Sequence, residues 1–125
     1  MNAKKLRPVL LVLGGLTATP ALAKLFTYDL ASEFGPVNLT IDTGTGDVIG
    51  TYPKFDGKIY GKLLPANTID GFWVQPKGDH PCQIQRHGSY SWGRLVFENP
   101  AGGHLNGSWS YCDGEPARPW KGHIR

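Results

Sequence analysis

One five-residue pattern recurs five times along this chain of 125 residues. In each copy a glycine stands between two large apolar residues, with one residue of any type on either side of it. Residues two apart share a face of a β-strand, so each copy places a glycine between two bulky side chains on one face. Glycine weakens a flat strand, so its repeated use favours strands that coil sharply or pack close to large groups, as in a small closed barrel. The copies are Val48-Gly50-Tyr52, Ile59-Gly61-Leu63, Ile69-Gly71-Trp73, Leu105-Gly107-Trp109 and Trp120-Gly122-Ile124.

The N-terminal segment has the pattern of a secretory signal peptide. Basic residues precede a short apolar run over 9–16, and 21–23 is a small-residue cleavage site. The apolar run is too short to span a bilayer comfortably. We therefore expect a signal peptide over 1–23, cleavage before Lys24, and a single domain over 24–125. We expect a periplasmic or secreted protein, with no membrane segment after cleavage.

The formal net charge of +3 says little about partners, because three of the basic residues lie in the expected signal peptide. After position 23, ten Lys and Arg residues match ten Asp and Glu residues. No basic cluster with interleaved aromatic residues remains, so the composition argues against a nucleic acid partner.

The only cysteines are Cys82 and Cys112. In an exported chain an isolated pair is expected to form a disulfide. Closing a loop of that length stabilises a small domain by roughly 3–4 kcal/mol in the chain-entropy estimate. A metal site built on His80, Cys82 and His87 is the alternative, but their spacing matches no standard zinc pattern. We therefore predict a Cys82–Cys112 disulfide, no metal site and no cofactor.

Turn signals recur about every ten to twelve residues, the spacing of a β-sandwich or barrel. Short turns pair neighbouring strands antiparallel, and closing the sheet removes its exposed edges. The sequence therefore predicts an all-β, eight-stranded antiparallel up-and-down meander barrel with one disulfide. We expect Gly35-Pro36 to bend the first strand. The predicted extended segments are 26–42, 48–54, 58–64, 68–75, 82–87, 92–98, 105–111 and 119–124.

Alternation along these segments predicts which side chains face inward. Together with the five glycine patterns, the sets 37-39-41 and 93-95-97 would fill the barrel. The segment 82–87 does not alternate in this way. If Arg86 pointed inward, its charge would need a partner, because a buried unpaired charge is costly.

Gly35 is followed fifteen residues later by Gly50-Thr51-Tyr52, with an alternating apolar strand and a glycine-containing turn between them. This arrangement resembles the opening hairpin of the avidin/streptavidin family. The later half, with 91–94 and 111–113, resembles a widespread group of exported bacterial proteins, and that likeness implies no function.

The avidin/streptavidin resemblance implies an eight-stranded barrel with a biotin pocket at one mouth. In that family an Asn, a Ser and the Tyr of Gly-Thr-Tyr hold the ureido oxygen. Tyr52 matches the Tyr, but Pro36 stands in the place of the Ser and Ser32 in the place of the Asn. Because proline has no side-chain donor, we expect biotin to bind weakly or not at all.

Four tryptophans stand out in a domain of this size. At a barrel mouth they offer stacking surfaces for flat ligands. Alternatively, they fill the interior, as side chains commonly do in small barrels. If a ligand binds, we expect these tryptophans and one tyrosine to form its site. The predicted ligand-binding residues are Tyr52, Trp73, Trp92, Trp109 and Trp120.

No set of residues completes a catalytic site. Ser89 and Ser91 near His87 lie in a polar turn, without a nucleophile elbow or an orienting acid, so we do not expect an enzyme. We expect a binding module for a small apolar or aromatic ligand at the barrel mouth. The alternative is an exported protein-binding or inhibitor domain that acts through loops 76–81 and 113–119, which lie next to the disulfide cysteines.

Overall fold

Eight strands in the described part of the chain close into an antiparallel barrel. A computed structural model describes residues 24–99 and 102–125, so the expected signal peptide over 1–23 lies outside the described residues. Each strand pairs with the next, and β8 pairs with β1, which confirms the predicted meander barrel. In the described part of the chain, no helix has the length and apolar character to cross a membrane. The strands are β1 (Leu25–Ser32), β2 (Val37–Asp42), β3 (Asp47–Tyr52), β4 (Gly57–Leu64), β5 (Thr68–Gln75), β6 (Ser91–Glu98), β7 (His104–Trp109) and β8 (Arg118–Ile124).

The segment predicted as one bent strand over 26–42 is in fact two strands. The Ser32 and Gly35 backbones exchange hydrogen bonds of 3.2 and 3.0 Å, and the Ser32 hydroxyl also donates to the Gly35 carbonyl at 2.7 Å. Gly35 has a φ of +85°, which glycine adopts without steric cost. The expected bend is therefore a full reversal of the chain.

The segment predicted as a strand over 82–87 lies instead in the long loop 76–90. Its only ladder contact is an isolated bridge between Arg86 and Ser89. Cys82 is bonded to Cys112 at 2.06 Å, which confirms the predicted disulfide and holds the loop beside the barrel. The prediction counted one strand too few over 26–42 and one too many over 82–87. The predicted number of strands is therefore correct, although the residues assigned to them are not.

Arg86 does not point into the barrel. Its guanidinium carbon lies 3.6 Å from the Phe72 ring centroid and 4.6 Å from that of Trp92, on the outer face of the sheet. Cation–π contact and aromatic packing thus take the place of the carboxylate partner that an inward position would have required.

Two strands end earlier than predicted. β3 stops at Tyr52, because Pro53 lacks a backbone N–H and begins a 3₁₀ turn. β7 stops at Trp109, after which the chain turns towards the disulfide.

The barrel interior is aliphatic at one end and aromatic at the other. Side chains of the aliphatic end are completely buried, and they come from five of the eight strands. The aromatic end is formed where β3, β5 and β7 finish and β8 begins. The completely buried aliphatic residues are Leu30, Val37, Leu39, Ile59, Ile69 and Leu95.

Large rings inside the barrel lie opposite glycines on the neighbouring strand. Tyr52 faces Gly57 and Trp73 faces Gly93 in direct cross-strand pairs. Phe97 faces Gly107 in the same way. A Cβ built at Gly93 would lie 2.6 Å from the Trp73 Nε1 atom, so only glycine leaves room for the ring there.

We expect Gly107→Val to lower the free energy of unfolding by about 1–3 kcal/mol through overpacking. A Cβ at this position would lie 2.6 Å from Phe97 Cδ1 and 3.0 Å from the Trp120 carbonyl oxygen. Denaturant unfolding measures the change. Ser108→Val, on the opposite face of β7, is the matched control and should stay within about 0.5 kcal/mol of the wild type. If both variants unfolded with the wild type, Gly107 would not face the interior.

Candidate ligand cavity at the barrel mouth

A cavity of about 610 Å³ opens at the aromatic end of the barrel. Phe55, Lys77 and His80 on its lining are exposed, so the cavity communicates with solvent. Its volume falls within the range of small-molecule sites. The lining residues are Phe34, Tyr52, Phe55, Trp73, Gln75, Lys77, Gly78, Asp79, His80, Ser91, Trp109, Tyr111 and Trp120.

Four of the five residues predicted for a ligand site come together on this lining. Tyr52 ends β3, Trp73 lies near the end of β5, and Trp109 ends β7. Trp120 lies near the start of β8, which reaches the same end of the barrel. The antiparallel meander brings these strand ends together at one mouth.

Trp92 lies outside the cavity, which corrects its expected place at the mouth. It is next to Gly93, which faces inward, so strand alternation turns Trp92 outward. There it packs with Val74 and Cys82 beneath the loop 76–90, and its indole N–H donates to the Ile84 carbonyl at 2.8 Å.

The aromatic rings of the cavity pack edge to face, an arrangement that aromatic quadrupoles favour. The Phe34 centroid lies 5.3 Å from that of Trp120 and 5.9 Å from that of Trp109. Tyr52 contacts Trp120 at 5.1 Å, and Trp73 contacts Trp109 at 5.8 Å. These contacts form a continuous aromatic wall.

All three indole N–H groups of this wall already have acceptors within the protein. Trp73 donates to the Ser110 carbonyl at 3.0 Å, and Trp109 donates to the Pro119 carbonyl at 3.2 Å. Trp120 donates to the Ser32 hydroxyl at 3.0 Å. The indoles are therefore fixed in orientation and present carbon surface to the cavity.

Polar groups lie on the lining beside the aromatic wall. The Gln75 amide donates to the Tyr52 phenol oxygen at 3.1 Å. Gln75 pairs with Ser91 across β5 and β6, which puts the Ser91 hydroxyl on the same inward face. Burial raises the pKa of the Tyr52 phenol, and the Gln75 hydrogen bond opposes part of that rise. The phenol is therefore neutral and can donate its own hydrogen.

Loop 76–81 forms the outer part of the cavity wall. The His80 ring stacks on the Tyr111 ring, with 4.1 Å between their centroids. His80 is two residues from Cys82 and Tyr111 is next to Cys112, so the stack lies beside the disulfide. The bridge thus links the two loops that meet at this rim. With Cys82 in a disulfide, the alternative metal set has lost its thiolate, and the described residues contain no group of three His, Cys, Asp or Glu placed to hold a metal.

Sequence reasoning missed several lining residues. Phe34, Phe55 and Tyr111 lie in turns and loops, where no periodicity reveals which way a side chain points. Gln75 and Ser91 carried a usable signal. Each continues an inward-facing alternation, after Ile69-Gly71-Trp73 on β5 and before 93-95-97 on β6.

The residues that carried the avidin-like resemblance do not act together here. Tyr52 lines the cavity, but Pro36 is exposed and is not among the lining residues. The Ser32 hydroxyl is already occupied, since it accepts from Trp120 and donates to Gly35. It therefore offers no free group to a ligand.

No family model matches the chain, and neither a curated protein nor a solved structure shows significant similarity to it. The cavity itself is therefore the feature from which a function can be inferred.

Burial of Tyr52 predicts a loss of stability at alkaline pH. Its folded pKa lies above the ordinary tyrosine value of 10.0, so the unfolded chain loses the phenol proton first as pH rises. The contribution of the neutral Tyr52 phenol to the free energy of unfolding is complete below about pH 10. Above that pH it declines by up to about 1.4 kcal/mol per pH unit. Denaturant unfolding between about pH 8 and pH 11 measures this slope.

Tyr52→Phe should show a shallower decline of unfolding free energy above about pH 10 than the wild type. Tyr90→Phe is the matched control, because Tyr90 is 49% exposed. Parallel curves for the wild type and Tyr52→Phe would mean that the Tyr52 phenol is not shielded from water.

Proposed function

We propose that this protein is a non-catalytic binding module that takes a small apolar or aromatic ligand in the barrel mouth. The observation that carries the proposal is the aromatic wall of Phe34, Trp73, Trp109 and Trp120 around an open cavity of about 610 Å³. Cavities of this size, mostly apolar with a few placed polar groups, are typical small-molecule sites.

The fixed orientation of the rings supports this proposal. Tyr52, Trp73 and Trp120 are only 2–4% exposed, and edge-to-face contacts and indole hydrogen bonds hold them in place. A site whose side chains are already ordered loses little conformational entropy when a ligand enters. A flat ring can stack on these surfaces, while Tyr52 and Ser91 supply hydrogen bonds to a polar atom at its edge.

A panel of neutral aromatic compounds, with biotin included, tests the proposal by calorimetry and by quenching of tryptophan fluorescence. We expect at least one flat aromatic compound to bind, and biotin to bind weakly or not at all. Trp109→Ala should weaken that binding by roughly 1–3 kcal/mol, the usual loss for a binding anchor. Trp109 is partly exposed. Circular dichroism of the variant should match the wild-type spectrum if the variant is folded.

Trp92→Phe is the matched control, because Trp92 lies on the outer face of the same barrel. It should keep the wild-type affinity. If no compound bound the wild type, or if Trp109→Ala bound as tightly as the wild type, the mouth cavity would not be the binding site. Loops 76–81 and 113–119 would then be the surface to test against protein partners.

A further inference from the structure

Arg118 carries a positive charge at the rim of the cavity. It is the first residue of β8 and pairs directly with Trp109 across β7. Directly paired residues share a face, and Arg118 is two residues from the buried Trp120, so strand alternation puts it on the inward face at the mouth. Its guanidinium carbon lies 5.5 Å from the Trp109 ring centroid and 5.2 Å from that of Tyr111.

Among the residues that the structure describes, the Arg118 charge has no ion-pair partner. No carboxylate oxygen of residues 24–99 and 102–125 lies within 4.0 Å of its guanidinium. By contrast, Arg94 pairs with Glu115 at 3.2 Å and Arg125 pairs with Asp29 at 2.9 Å. Stacking engages the face of a guanidinium and leaves the N–H groups at its edge free to donate.

One lysine and one aspartate contribute formal charges to the cavity lining. Lys77 lines the cavity and, like Arg118, has no carboxylate within ion-pairing distance among the described residues. Asp79 is the one carboxylate that the described residues place on the lining. Lys77 and Asp79 offset each other on the lining, so the stacked Arg118 at the rim, next to the aromatic wall, is the charge that favours a ligand whose exposed end is negative.

We infer that the cavity selects aromatic ligands with an anionic group, such as a carboxylate, and that Arg118 determines this selectivity. The inference rests on the proposed function. The ring enters among the tryptophans while the anion stays at the rim, where Arg118 donates hydrogen bonds to it. A carboxylate placed deeper would meet the buried and neutral end of the barrel, which disfavours charge.

Three probes with one ring system test the inference by calorimetry at neutral pH: 2-naphthoate, the neutral 2-naphthamide and the cationic 2-naphthylmethylammonium. We expect the naphthoate to bind about fivefold tighter than the amide, the gain of one partly exposed ion pair, and the ammonium to bind weakest. The preference should shrink as salt rises from about 0.01 M to about 1 M, because screening weakens exposed charge pairs.

Arg118→Gln should abolish the preference, so that the ratio of naphthoate affinity to amide affinity falls from about five to about one. Arg118→Lys should keep part of the preference, since it retains the charge but not the planar guanidinium. Arg125→Gln is the matched control, because Arg125 bonds to Asp29 at the C-terminal end of β8, away from the mouth. It should leave all three affinities as in the wild type.

Equal binding of the three probes to the wild type would overturn the anion preference while leaving the proposed binding function in place. Retention of the naphthoate preference in Arg118→Gln would overturn the role of Arg118. Absence of binding by all three probes, together with failure of the neutral panel, would overturn both proposals.

Discussion

The structure depends on glycines that leave room for aromatic rings on the neighbouring strand. Three interior rings, those of Tyr52, Trp73 and Phe97, each face a glycine across the sheet, and no larger residue fits beneath them. Aromatic rings packed over strand glycines offset the weakness of glycine in a sheet while allowing strong curvature. A barrel of only eight strands can therefore enclose several large rings without overpacking.

This arrangement divides the interior into two parts with different roles. Completely buried aliphatic side chains close one end of the barrel. The aromatic rings at the other end pack against one another edge to face, and they line a cavity. The Cys82–Cys112 bridge and the His80–Tyr111 stack then hold two loops at the rim of that cavity. The closed end thus supplies a packed aliphatic core, while the open end combines buried aromatic rings with a cavity.

Much of the fold could be predicted from local patterns, and the errors have identifiable physical causes. The glycine patterns and the short turns predicted a closed meander, because both reflect a strand period of two. The reversal at Gly35 depends on a positive φ, and the segment 82–87 lies in a loop that is bonded through Cys82 to Cys112. Neither feature can be read from the alternation of apolar and polar residues. At the cavity, Trp92 was misplaced although the inward position of its neighbour Gly93 already implied the opposite face.

Trp73, Trp109 and Trp120 line one cavity, while Trp92 lies outside it. The most direct test is a nitrogen–proton NMR titration of the four indole N–H groups with a neutral aromatic probe such as p-cresol, with signals assigned from single Trp→Phe variants. We expect the signals of Trp73, Trp109 and Trp120 to shift together along one binding curve, while that of Trp92 stays in place. Movement of Trp92 alone, or no movement of any indole signal at saturating probe, would contradict this expectation.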